Sequence, residues 1–112
     1  MQKIEKPWGY EEIWAKTDKY AGKILTILPK QRLSLQYHQK KEETIYVLSG
    51  LLRVWTSNDD TDFKDYGPGA VYHVNPGDVH RFGSTPLVQT KLLEVSTPEL
   101  NDVVRLADDY NR

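Results

Sequence analysis

The chain has 112 residues, the length of one domain built on one core. Its 15 basic and 16 acidic residues leave a formal net charge of -1, a balance that predicts neither a nucleic-acid footprint nor attraction to an anionic membrane. Cysteine is absent, which excludes disulfides, thiolate metal sites and a cysteine nucleophile, and fits a reducing compartment.

The opening segment MQKIEKPWGYEE lacks the apolar run of a signal peptide. No stretch approaches the roughly 20 apolar residues that span a bilayer, so a cytoplasmic protein is expected. Short apolar and β-branched bursts then follow one another, punctuated by Gly, Pro, Asn and Asp. GYEEIWA alternates around Tyr10, Ile13 and Trp14, and GKILTILP stops at Pro29. RLSLQYH puts Leu33, Leu35 and Tyr37 on one face and Arg32, Ser34, Gln36 and His38 on the other. Lys40 and Lys41 form the only adjacent basic pair and read as a solvated loop.

TIYVLSG and LLRVWTS read as two strands of a hairpin turning at Ser49-Gly50, and SNDDTD as a second turn. GPGAVYHVNPGDVHRFGS gives a strand, a tight turn at Asn75-Pro76-Gly77 and another strand, and LVQTKLLEVS a last long one. In the tail, Asn101 or Asp102 is placed to cap a short helical turn carrying Val103, Val104 and Leu106. About eight to ten strands with no room for crossover helices predict a single all-β domain over residues 1–112, a sandwich or jelly-roll barrel.

The polar residues of the third segment carry the chemistry. Gln36 and His38 share a strand face, Glu43 opens the next strand after a short turn, and His80 starts a strand beyond NPGDV. Three or four nitrogen and oxygen donors converging from separate strands suit a divalent metal; imidazole fits Zn, Fe, Ni or Cu, and the amide and carboxylate oxygens are harder donors. The same residues read equally as ordinary hydrogen-bonded surface groups, because Q-x-H alone is a weak motif.

HQKKEETIYVLSG after SLQY resembles the first cupin motif, with His38, Glu43 and Gly50 in place, Gln36 where the first His usually stands and Gln31 at the opening glycine. GAVYHVNPGDVHRFGS resembles the second motif through Gly69, Gly77 and His80, with Asn75 at the proline position and Ser84 at the asparagine. More narrowly, KPWGYEE, LPKQRLSLQYH, EETIYVLSG, GDVHRF, LLEVSTPE and DVVRLADDYNR are similar, in order, to the cupin domain of type II phosphomannose isomerases. The resemblance implies a cupin fold, a double-stranded β-helix. It also implies a divalent metal, typically zinc, on Gln36, His38, Glu43 and His80. Thr44 departs from it, standing where a His commonly follows the Glu. Such domains are often fused to a guanylyltransferase, for which 112 residues leave no room, so sugar-nucleotide synthesis is not expected of this chain alone.

The implied activity is metal-dependent aldose–ketose isomerisation of a sugar phosphate; the alternative is a non-catalytic cupin that binds a sugar or sugar phosphate. Isomerisation needs a base apart from the ligands and a cation for the phosphate. His73 has a suitable ordinary pKa but also reads as a hydrogen-bonded strand residue. Arg32 shares the Gln36 face by count and offers a bidentate fork. Arg81 should point away from the His80 face, and Arg105 reads as pinning the tail through neighbouring aspartates. Trp8, Trp14 and Trp55 read as core or dimer contacts. Cupins commonly pair, so a homodimer is expected.

Overall fold

The computed structural model describes Met1–Arg112, and side-chain alternation decides how each strand faces. The strands are β1 (Gln2–Lys6), β2 (Gly9–Lys16), β3 (Ala21–Ile27), β4 (Leu35–Tyr37), β5 (Glu43–Ser49), β6 (Leu52–Trp55), β7 (Phe63–Tyr66), β8 (Val71–Val74), β9 (Arg81–Gly83), β10 (Thr90–Ser96) and β11 (Val104–Ala107). In β10, Thr90, Leu92, Glu94 and Ser96 are buried while the residues between them are more exposed. In β5, Glu43, Ile45 and Val47 turn inward in the same way.

Six strands form one antiparallel sheet in the order β1-β2-β3-β10-β5-β8. The second layer consists of β7-β6-β9 and β11-β4. Isolated bridges from Arg32 to Gly83 and from Gln36 to His80 stitch its two parts together. Leu25, Ile45, Val47 and Leu92 of the first sheet meet Leu52, Val54 and Phe82 of the second in one core, which also encloses Trp8. Burying each such aliphatic or aromatic side chain stabilises the fold by about 1.5–3 kcal/mol.

Two expectations are corrected here and one element is added. The Ser49-Gly50 turn does not close a hairpin, because β5 lies in the first sheet and β6 in the second; the turn carries the chain between layers. Gly50 is required there, with φ of +73° and a position where a Cβ would sit 2.2 Å from the Gln89 carbonyl oxygen. The tail forms no helical turn, because Val104–Ala107 pairs antiparallel with Leu35–Tyr37 instead and satisfies its backbone in the sheet. The amino-terminal residues, unassigned from sequence, form the edge strand β1 against β2. No helix is long and apolar enough to cross a membrane.

Candidate metal centre

Three short segments bring the site together. Gln36 and His80 face each other across the second layer and exchange two backbone hydrogen bonds of 2.9 Å. The Asn75–Asp78 turn is clipped to the same place, since Gly77 N–H donates to the His38 carbonyl at 2.7 Å. Glu43, the first residue of β5, enters from the opposite sheet.

Each imidazole is oriented by a backbone carbonyl. His80 Nδ1 lies 3.0 Å from the Asp78 carbonyl oxygen, and His38 Nδ1 contacts the Asp102 carbonyl oxygen. A carbonyl only accepts, so Nδ1 carries the proton in both rings and Nε2 is left with its lone pair. Both Nε2 atoms are buried and without a hydrogen-bond partner. They lie 3.7 Å (His38) and 3.5 Å (His80) from the Glu43 carboxylate oxygens. One donor atom from each of the three residues falls within 4.8 Å of the others. A buried acceptor without a partner costs about 1–3 kcal/mol, and two of them aimed at one carboxylate are what a bound cation would satisfy. The donor set therefore fits a divalent metal.

Buried charge reinforces this. Lys41 Nζ sits 2.8 Å from Glu43 Oε2 and 3.2 Å from Glu94 Oε2. Burial works against the Glu43 carboxylate, but the Lys41 ammonium outweighs it and holds the carboxyl below its usual range. Burial depresses the His38 pKa, only partly opposed by Glu43, and so favours the neutral ring that ligates metal. Next along the first sheet, Lys23 lies directly opposite Glu94 and pairs with Glu11 at 3.2 Å. These groups line a cavity of about 270 Å³ between the layers, together with Gln36, His38, Leu33, Phe82, Val103 and Arg105.

A family model described as "Mannose-6-phosphate isomerase C-terminal" matches residues 1–108. The chain belongs to that family. Among curated relatives, the mannose-1-phosphate guanylyltransferase of Escherichia coli K12 is 33% identical over 99% of this chain and 23% of its own length. The alginate biosynthesis protein AlgA of Pseudomonas aeruginosa is 29% identical over 97% of this chain and 23% of its own. The chain thus spans about a quarter of the length of these relatives. Among solved structures, KdgF from Halomonas sp. superposes with a TM-score of 0.77 at 13% identity, covering 90% of this chain and 91% of that one. A cupin-like protein from Thermotoga maritima superposes at 0.76 with 15% identity, covering 88% and 76%. The fold is that of a cupin.

Within this cupin three of the four expected ligands meet. His38, Glu43 and His80 point at one another, and Gln36 lies on the same wall with its Oε1 accepting a 2.7 Å hydrogen bond from Ser34. Arg32 does not join them. Gln36 comes four positions after Arg32, but Gly83 only three after His80, and this one-residue shift turns Arg32 to the outer face. There it packs against Trp55 and is held by Asp109 at 2.7 Å and Asp60 at 2.9 Å. His73 lies outside as well. It faces Thr44 across β5 and β8, on the side opposite Glu43, with Nδ1 2.8 Å from Thr44 Oγ1 and Nε2 2.8 Å from Glu42.

Three site residues escaped the sequence reading. Lys41 is not solvated, because two buried carboxylates hold it; Lys40 beside it is exposed. Glu94 was visible in principle as a charge in phase with inward-facing Leu92. Asp102 caps no helix. Its carboxylate accepts from Gln39, Lys40 and Lys41 N–H at 3.1, 2.7 and 2.9 Å, closing the loop between two ligands.

Proposed function

We propose that this domain is a metal-dependent aldose–ketose isomerase acting on a sugar phosphate of the mannose 6-phosphate type. The observation that carries the reading is the pair of partnerless Nε2 atoms facing a buried carboxylate at the wall of a cavity large enough for a small polyol. Gln36, His38, Glu43 and His80 would hold the ion, with zinc as the expected metal, and it would supply charge stabilisation for the oxyanion of an enediol. Glu94 is the candidate proton carrier between C1 and C2. It is not one of the ligands, lines the cavity and is buried, with Lys41 Nζ 3.2 Å from its Oε2. Burial, followed by the neighbouring Glu43 charge, pushes its carboxyl up to about 7, where it exchanges protons near neutrality.

A second reading, a sugar-binding cupin without turnover, is favoured by the placement of His73 and Arg32 outside the cavity. Conversion of mannose 6-phosphate to fructose 6-phosphate, followed with zinc-loaded and chelated protein, separates the two. Chelator-sensitive turnover that is lost in Glu94→Gln supports the isomerase. Stoichiometric zinc with ligand binding but no turnover moves the domain to the binding role.

A further inference from the structure

Arginine placement singles out one residue. Arg32 and Arg81 approach Asp109, Arg53 pairs with Asp65 and Arg112 pairs with Asp108. Arg105 alone among the arginines has no carboxylate within 4.0 Å, and its guanidinium makes no hydrogen bond; the expected pinning of the tail by its ion pairs is not formed. Yet it is not directed away from the site. In β11 it stands directly opposite Gln36, which in turn stands opposite His80. Residues directly opposite in antiparallel strands share a face, with Cβ atoms about 4.5–5.5 Å apart. Arg105, Gln36 and His80 therefore form one row across the second layer, and Arg105 lines the cavity at its exposed end.

The other charges of the cavity sharpen the contrast. Glu11 is matched by Lys23, and Glu43 and Glu94 by Lys41, so no cavity carboxylate is left to claim Arg105. A planar guanidinium with free donors, one strand beyond a ligand position, matches the oxygens of a phosphate monoester. The site spans the distance between the carbonyl end and the phosphate end of one small sugar phosphate, since a strand spacing of about 4.8 Å adds to the reach of the arginine side chain.

We propose that Arg105 is the phosphate-binding residue of this cavity, holding the end of the substrate remote from the metal ligands. This rests on the sugar-phosphate reading above but assigns a role that Arg32 was expected to fill.

The test measures binding by calorimetry of mannose 6-phosphate, mannose and inorganic phosphate to zinc-loaded wild type, Arg105→Gln and Arg105→Lys. The side chain is exposed, so both variants are expected to fold and to retain zinc stoichiometry, which is measured alongside. The expected result is a loss of at least about tenfold in mannose 6-phosphate affinity in Arg105→Gln, as for a lost charge-assisted hydrogen bond, with partial recovery in Arg105→Lys. Affinity for unphosphorylated mannose should not move. Equal mannose 6-phosphate affinity in wild type and Arg105→Gln overturns the assignment, as does a wild type that binds neither phosphate probe. Arg105-dependent binding without isomerisation would uphold the assignment and remove the isomerase. Isomerisation with an unchanged KM in Arg105→Gln would do the reverse.

Discussion

Replacing Lys41 by methionine is the sharpest probe of the buried charges. Methionine keeps the length of the side chain and removes its charge. Lys41, Glu43 and Glu94 are only 5%, 3% and 4% exposed, so water cannot replace the lost ammonium. At about pH 8, above the range in which Glu94 holds its proton, the two carboxylates, 2.8 and 3.2 Å from Nζ, would then face each other with no counter-ion. Removing one partner of a buried ion pair costs about 3–5 kcal/mol. For a domain of this size that corresponds to a fall in Tm of roughly 12–20 °C. Urea and thermal denaturation of metal-free protein, followed by the fluorescence of buried Trp8 and Trp55, measures the loss directly. Lys41→Met combined with Glu94→Gln should recover about half of it, because one of the stranded charges is gone. Zinc should reduce the defect further, since a divalent ion on Glu43 supplies the missing positive charge. A loss below about 1 kcal/mol, or a double variant no more stable than Lys41→Met, would refute this account of the buried triad.

Metal-free Glu94→Gln should have a flatter stability–pH profile than wild type. The native Glu94 carboxyl keeps its proton up to about 7, whereas the unfolded chain releases it near its ordinary value of about 4.3; native protein therefore binds more protons in that window, and the Glu94 contribution falls as pH rises through it. Glu43 runs the other way, its contribution being present above the ordinary carboxyl range and lost as pH falls below it. A slope unchanged by Glu94→Gln between pH 5 and 7, measured by urea titration at a series of about five pH values, would contradict the assignment. Asp102→Ala should accelerate amide exchange at Gln39, Lys40 and Lys41 and weaken zinc binding by about 10–100-fold, as losses of outer-shell support do. Unchanged exchange rates would show that the carboxylate is not what closes the loop. Gly50→Ala should destabilise the domain by roughly 1–3 kcal/mol, because φ of +73° and the nearby Gln89 carbonyl both oppose a Cβ; chemical denaturation midpoints equal to wild type would rule that strain out.

The fold class was legible because strand alternation is a local property, and β10 and β5 show it without interruption. Sheet membership was not. Nothing near Ser49-Gly50 distinguishes a turn that closes a hairpin from one that changes layers, since that choice depends on which distant strands claim β5 and β6. The convergence of His38, Glu43 and His80 was readable from motif spacing together with resemblance. The neighbours of that centre were not. Counting by twos placed Arg32 on the Gln36 face, and a single extra residue between two bridges reversed it. Lys41 looked like half of a solvated basic pair because its partner Glu94 lies more than fifty positions away. Asp102 sat where a helix cap would, and the same acceptor capacity is spent on a loop more than sixty positions upstream.

The antiparallel pairing of Val104–Ala107 with Leu35–Tyr37 also sets an order in time. A ribosome delivers Gln36, His38, Glu43 and His80 before it delivers Asp102 and Arg105, and a domain folds as a unit. Until the downstream stretch arrives, His38 lacks the carbonyl that orients its ring, and the Gln39–Lys41 loop lacks its carboxylate. A chain holding all four candidate ligands without that stretch would lack two supports of the centre. The residues that support the centre are thus synthesised after the residues that compose it.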